Sequence, residues 1–96
     1  MFPSHDRDKN VAVGYQALSA DTKGSKSVAI GRMALLSQNL TSATDVYNTA
    51  VGHNAGQQIT TGTGNTFIGG LSGDATTTSA DNTGVGYQTL TNNTTY

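Results

Sequence analysis

The chain is 96 residues long with a formal net charge of −1, 34% hydrophobic, 11% charged, without Cys or Trp and with a single Pro. That length holds one domain at most, and the near-zero net charge argues against a charge-rich disordered tail. The absence of cysteine excludes disulfide staples, and no run approaches the roughly 20 apolar residues that a membrane span needs.

Residues 1–9, Met-Phe-Pro-Ser-His-Asp-Arg-Asp-Lys, form a polar leader in which Asp6, Arg7, Asp8 and Lys9 alternate in sign. It has no apolar segment of the kind that marks a secretory signal. A lightly docked terminus is expected there, with Phe2 as its candidate cap.

From Asn10 the chain repeats. Asn10-Val11-Ala12-Val13-Gly14 returns as Ser27-Val28-Ala29-Ile30-Gly31, Asn48-Thr49-Ala50-Val51-Gly52, Asn65-Thr66-Phe67-Ile68-Gly69 and Asn82-Thr83-Gly84-Val85-Gly86, with the glycines spaced 17, 21, 17 and 17 apart. A fixed period of this kind marks a solenoid, each repeat being one unit stacked on its neighbours. The units run 10–26, 27–47, 48–64, 65–81 and 82–96.

Within each unit the second and fourth positions are alike, and the fourth is always Val or Ile. Alternation with period two in β-branched residues predicts a short strand with that face inward. The third position holds Ala12, Ala29, Ala50, Phe67 and Gly84. Small residues there predict close packing on the second face as well, with Phe67 the exception. The invariant Gly predicts a corner with positive φ or a close backbone approach. Three residues on stand Ala17, Ala34, Ala55, Ser72 and Thr89, followed by Leu18, Leu35, Gly56, Gly73 and Leu90, so the apolar filling thins in the third and fourth units. The remainder of each unit is rich in Gly, Ser, Thr and Asp and reads as turn.

The leading Asn is replaced only by Ser27, in the unit that also carries four extra residues within Thr41–Tyr47. Stacked Asn side chains can form amide ladders, and an insertion in one repeat maps to a loop on one face. No segment supports a stable helix: Met33-Ala34-Leu35-Leu36 is the best local candidate and is too short. The predicted class is an all-β parallel solenoid of five coils.

These units resemble the head repeat of trimeric autotransporter adhesins, the YadA-like head with its S-V-A-I-G-type core, and the similar N-T-A-x-G repeats of bacteriophage tail fibres. The resemblance covers residues 10–90. It implies a left-handed parallel β-roll in which three chains wrap into a homotrimer. It would place Val11, Val13, Val28, Ile30, Val51, Ile68 and Val85 along the packed interior and Gly14, Gly31, Gly52, Gly69 and Gly86 at the corners. The period of seventeen exceeds that of the common adhesin repeat, and Phe67 and Gly84 depart from its small-residue position.

Catalytic patterns fail one by one. Ser4-His5-Asp6 are sequence neighbours and cannot relay through one another as a triad does. The stretch Gly69–Gly73 would need Gly at position 74 to make a nucleophile elbow, and Asp74 stands there. Gly62-Thr63-Gly64 would need its third glycine where Phe67 stands. His53 has no second His at metal-ligand spacing, and the calcium-roll signature is absent. A hexapeptide-repeat acyltransferase would need an aliphatic residue every six positions, but Val13 is followed at that spacing by Ser19. The five basic residues all lie at or before Arg32, which leaves no nucleic-acid stripe. The sequons at Asn39, Asn92 and Asn93 are chance matches in an Asn/Thr-rich chain.

The expected function is therefore structural: a rigid rod or head in an extracellular trimeric fibre, on a virion or a bacterial surface, with no enzyme activity and no cofactor. Two alternatives go with it. One is a receptor- or glycan-binding adhesin module, using Tyr15, Arg32, His53, Tyr87 and the 41–47 loop. The other is a filament subunit stacking head to tail, since nothing after Thr91 looks like a cap.

Overall fold

The computed structural model describes residues 9–21 and 23–90. The expectations for the leader up to Asp8, for Ser4-His5-Asp6 and for the segment after Leu90 lie outside these residues. The described chain has seven short strands and no helix: β1 (Val11–Val13), β2 (Gly24–Ser25), β3 (Val28–Ile30), β4 (Thr44–Asp45), β5 (Thr49–Val51), β6 (Thr66–Ile68) and β7 (Thr83–Val85).

Five of these, in the order β1-β3-β5-β6-β7, form one sheet in which every pair is parallel. The register sets Val11 beside Val28, Thr49, Thr66 and Thr83, and Val13 beside Ile30, Val51, Ile68 and Val85. Equivalent residues thus stack one above another, and the chain is a parallel β-solenoid making about four turns between β1 and β7. Hydrogen bonding between turns continues past the strands. Gly31 N–H donates to Val13 C=O at 2.7 Å, Met33 N–H to Tyr15 C=O at 2.8 Å, and Leu18 N–H to Ala34 C=O at 2.9 Å, each recurring down the stack. This is how a chain with few large apolar residues holds its backbone, since every rung satisfies the polar groups of the next.

The glycine after each strand turns the chain. Gly14, Gly31, Gly52, Gly69 and Gly86 have φ between +123° and +134°, and a Cβ on Gly31 would lie 2.5 Å from the Gly52 carbonyl oxygen. Both the left-handed φ and the rung beneath exclude a side chain. Beyond the corner, residues two and four positions on are also left-handed, Met33 at φ +61° and Leu35 at +52° among them. Alternation of hand cannot propagate a helix, so Met33–Leu36 is a corner segment.

The interior corrects the predicted face. It is built from Ala29, Ala50 and Phe67 of the strands' third position, packed against Leu18, Ala34, Leu35, Ala55 and Ile59 of the return segment. Val11, Val13, Val28, Ile30, Val51, Ile68 and Val85 point away from it and are exposed or half-buried in the chain. A three-residue strand turns one side chain inward and two outward. In a molecule 15 Å across at its thinnest, that single inward place holds an alanine in β3 and β5 and Phe67 in β6, where Gly73 makes room for the ring. The two outer places face away from the core.

The four-residue insertion makes a second, two-stranded parallel sheet. β2 pairs with β4, Gly24 beside Thr44 and Ser25 beside Asp45. Thr41, Ser42 and Ala43 project outward, while Val46 is fully buried.

Candidate functional site

Three features stand out from the solenoid frame. The first is the outer face of the five-stranded sheet. Its two columns run Val11, Val28, Thr49, Thr66, Thr83 and Val13, Ile30, Val51, Ile68, Val85. In the aliphatic column Val13 is 56% exposed, Ile30 37%, Ile68 39% and Val85 65%, with Val51 half-buried between them, and Val11 of the first column is 49% exposed. No charged residue interrupts either column. The second column is aliphatic at every rung.

The second is the row just past the corner: Tyr15, Arg32, His53, Gly70 and Tyr87. The register brings these residues into one column, as sequence spacing implied, and Tyr15 and Tyr87 are largely exposed. The Arg32 guanidinium lies 5.7 Å from the centroid of the Tyr15 ring, a cation–π distance. A Cβ on Gly70 would stand in ordinary contact with the Tyr87 ring, 3.6 Å from its Cδ1. His53 is exposed, and among the described residues no group of three His, Cys, Asp or Glu side chains could hold a metal ion. Against the insertion, Lys26 Nζ donates to Asp45 Oδ2 at 2.9 Å and sits 5.6 Å from the Tyr47 ring centroid. The hydrogen bond to Asp45 is the main cause raising the Lys26 ammonium above its ordinary pKa.

The third is a buried polar column at the first position of each repeat. The Asn48 side chain closes its own turn, Nδ2 donating to Gly62 C=O at 2.9 Å, and binds the next, Oδ1 accepting from Asn65 N–H at 2.8 Å. Asn65 does the same with Ser79 C=O at 2.9 Å and Asn82 N–H at 3.1 Å, and Asn10 with Gly24 C=O and Ser27 N–H. Ser27 is too short for both tasks. Gln38 fills the gap: its Nε2 donates to Ser27 Oγ at 3.0 Å and to Asp21 Oδ2 at 2.8 Å, while its Oε1 accepts from Asn48 Nδ2 at 2.8 Å. Asp21, only 2% exposed, also accepts from the backbone N–H groups of Lys23, Gly24 and Leu40.

The Asn column was visible in the sequence, but the roles of Asp21 and Gln38 were not. The signal that could have found them is position: both stand seven residues after a corner glycine, where Ile59 and Thr76 stand in the next two units. Each of these side chains is spent on structure, holding backbone groups that the turn would otherwise strand. Neither a family model nor a curated protein nor a solved structure matches the chain.

Proposed function

We propose that the chain is a structural segment of an extracellular fibre, a left-handed roll of five coils that associates laterally as a homotrimer. The carrying observation is the uninterrupted aliphatic column Val13, Ile30, Val51, Ile68, Val85 on the outer face. Burying one such side chain contributes about 1.5–3 kcal/mol, and a column five deep repeats that gain along the axis. Three identical faces meeting around an axis bury the column with a closed symmetry and leave the corner rows outside. The polar remainder, with 11% charged residues and a net charge of only −1, suits a surface exposed to solvent outside the cell, on a virion or a bacterium. The resemblance to adhesin heads and tail fibres points the same way.

The test is Ile68→Asp. Three carboxylates brought together in an apolar contact oppose association, while the side chain lies outside the solenoid's own interior. The expected result is loss of the oligomer with the β circular-dichroism signal retained. An oligomer of wild-type mass and melting temperature would overturn the reading.

A further inference from the structure

We propose that copies of this chain also stack head to tail, the rung of β1 in one copy docking beneath the rung of β7 in another. This axial contact uses edges that the lateral column leaves free, so either reading stands or falls without the other. It rests on matching backbone groups and on matching side chains.

The backbone match follows from the repeat. At every internal junction, the residue before the corner glycine accepts from the glycine N–H of the next rung: Val13 from Gly31, Ile30 from Gly52, Val51 from Gly69, Ile68 from Gly86, all at 2.7 Å. The residue after the glycine accepts likewise, Gly70 from Gln88 at 2.9 Å for example, and the residue four after it donates, as Gly73 does to Thr89 C=O at 2.7 Å. At the last rung the same groups are Val85 C=O, Tyr87 C=O and Leu90 N–H. At the first rung their counterparts are Gly14 N–H, Gln16 N–H and Ala17 C=O. Among the described residues none of these six groups has a partner. Laid end to end, the two rungs form the same three bonds that recur at each internal junction, and no new geometry is needed.

The side chains agree. Val13-Gly14-Tyr15-Gln16-Ala17-Leu18 and Val85-Gly86-Tyr87-Gln88-Thr89-Leu90 differ at one position, and no internal repeat carries the Tyr-Gln-x-Leu sequence. Stacking sets Tyr87 beside Tyr15, Gln88 beside Gln16 and Leu90 beside Leu18 of the next copy, a ladder of identical residues. Leu90 belongs to the interior column, where Leu35 is fully buried, yet it is 38% exposed. The underside of Gly86 meets only Thr89 Cγ2, at 3.3 Å from a built Cβ, where every other corner glycine meets the backbone of the next rung at 2.8 Å or less. The last rung is shaped to receive a glycine corner, and the first rung supplies one. Because the contact is heterologous it does not close, and it yields filaments.

A charge swap on the intact 96-residue protein tests this, read by negative-stain electron microscopy and light scattering over a concentration series. Wild type should give rods that lengthen with concentration, each copy adding about 24 Å for five rungs. The Tyr15→Glu/Tyr87→Glu variant sets like charges against each other only across the junction, since the two positions lie at opposite ends of one chain. Its rods should fall to single units with circular dichroism unchanged. The Tyr15→Glu/Tyr87→Lys variant should restore them. Wild-type particles of constant length at all concentrations would overturn the proposal, as would doubly acidic rods as long as those of wild type.

Discussion

The Phe67 ring occupies the place that a side chain at Gly73 would take: a Cβ built on Gly73 lies 2.5 Å from Phe67 Cδ1. Gly56, one rung above, borders the same ring at 3.6 Å. The first two repeats fill this part of the interior differently, with Leu18 and Leu35 at the equivalent of Gly73 and a small residue in the strand. The one large residue in the small-residue column and the two glycines in the leucine column are therefore a single packing exchange.

Gly73→Ala should destabilise by about 2–4 kcal/mol, from overpacking against the ring and from an alanine at φ +62°. Phe67→Ala should cost about 3–5 kcal/mol by opening a cavity. The double variant Phe67→Ala/Gly73→Leu recreates the pairing of Ala29 with Leu35 and should recover at least about 1 kcal/mol over Phe67→Ala alone. Urea unfolding of the three variants gives the coupling, and strict additivity would contradict the exchange.

The polar column predicts a pH signature. In Asn48→Asp the carboxyl keeps the bond from Asn65 N–H but loses the donor that met Gly62 C=O and Gln38 Oε1. Burial among acceptors raises the folded pKa above the unfolded value of about 3.9, so the folded state holds the proton more tightly and stability falls as pH rises. The variant should lose about 2–4 kcal/mol at neutral pH and less near pH 3. Thermal melts of variant and wild type across that range check the sign.

Corner glycines should not be equivalent. Gly52→Ala and Gly86→Ala share a left-handed φ, +134° and +126°, but a Cβ on Gly52 meets Gly69 backbone at 2.6 Å. In the unstacked Tyr15→Glu/Tyr87→Glu background, Gly52→Ala should cost about 4 kcal/mol or more and Gly86→Ala about 1–3 kcal/mol, from the dihedral and a single 3.3 Å contact with Thr89 Cγ2. Equal losses in melting experiments would show that stacking closeness is not what selects glycine.

Gln88 is exposed at φ +59° with its side chain outside the core. Replacement by Gly removes a left-handed penalty of about 1–2 kcal/mol and returns part of it through the freer unfolded chain. Gln88→Val should be less stable than Gln88→Gly by at least about 1 kcal/mol in chemical unfolding, because β-branching is worst in that region.

The sequence carried the period, the corner glycines and the strands, because a repeat written five times exposes its own spacing. It did not carry the direction of the strand faces. Alternation groups Val13 with Val11 and sets Ala12 against them, but it is silent on which side is inside. The usual rule that aliphatics mark the interior chose wrongly for Ile30 and Ile68. The smallness of Ala29 and Ala50 was the truer signal, since Leu35 and Ile59 already fill the space those strands face, and Phe67 enters where Gly73 leaves room for its ring. The Asp21–Gln38–Asn48 network was hidden because its members are 17 and 10 residues apart and belong to different turns.

Native mass spectrometry counts the chains of the lateral assembly. The Tyr15→Glu/Tyr87→Glu variant is the sample of choice, so that axial stacking does not obscure the lateral count. A single species of three times the 9.9 kDa chain is expected. A folded species at the mass of one chain, with the Val13–Val85 column left in water, would contradict it.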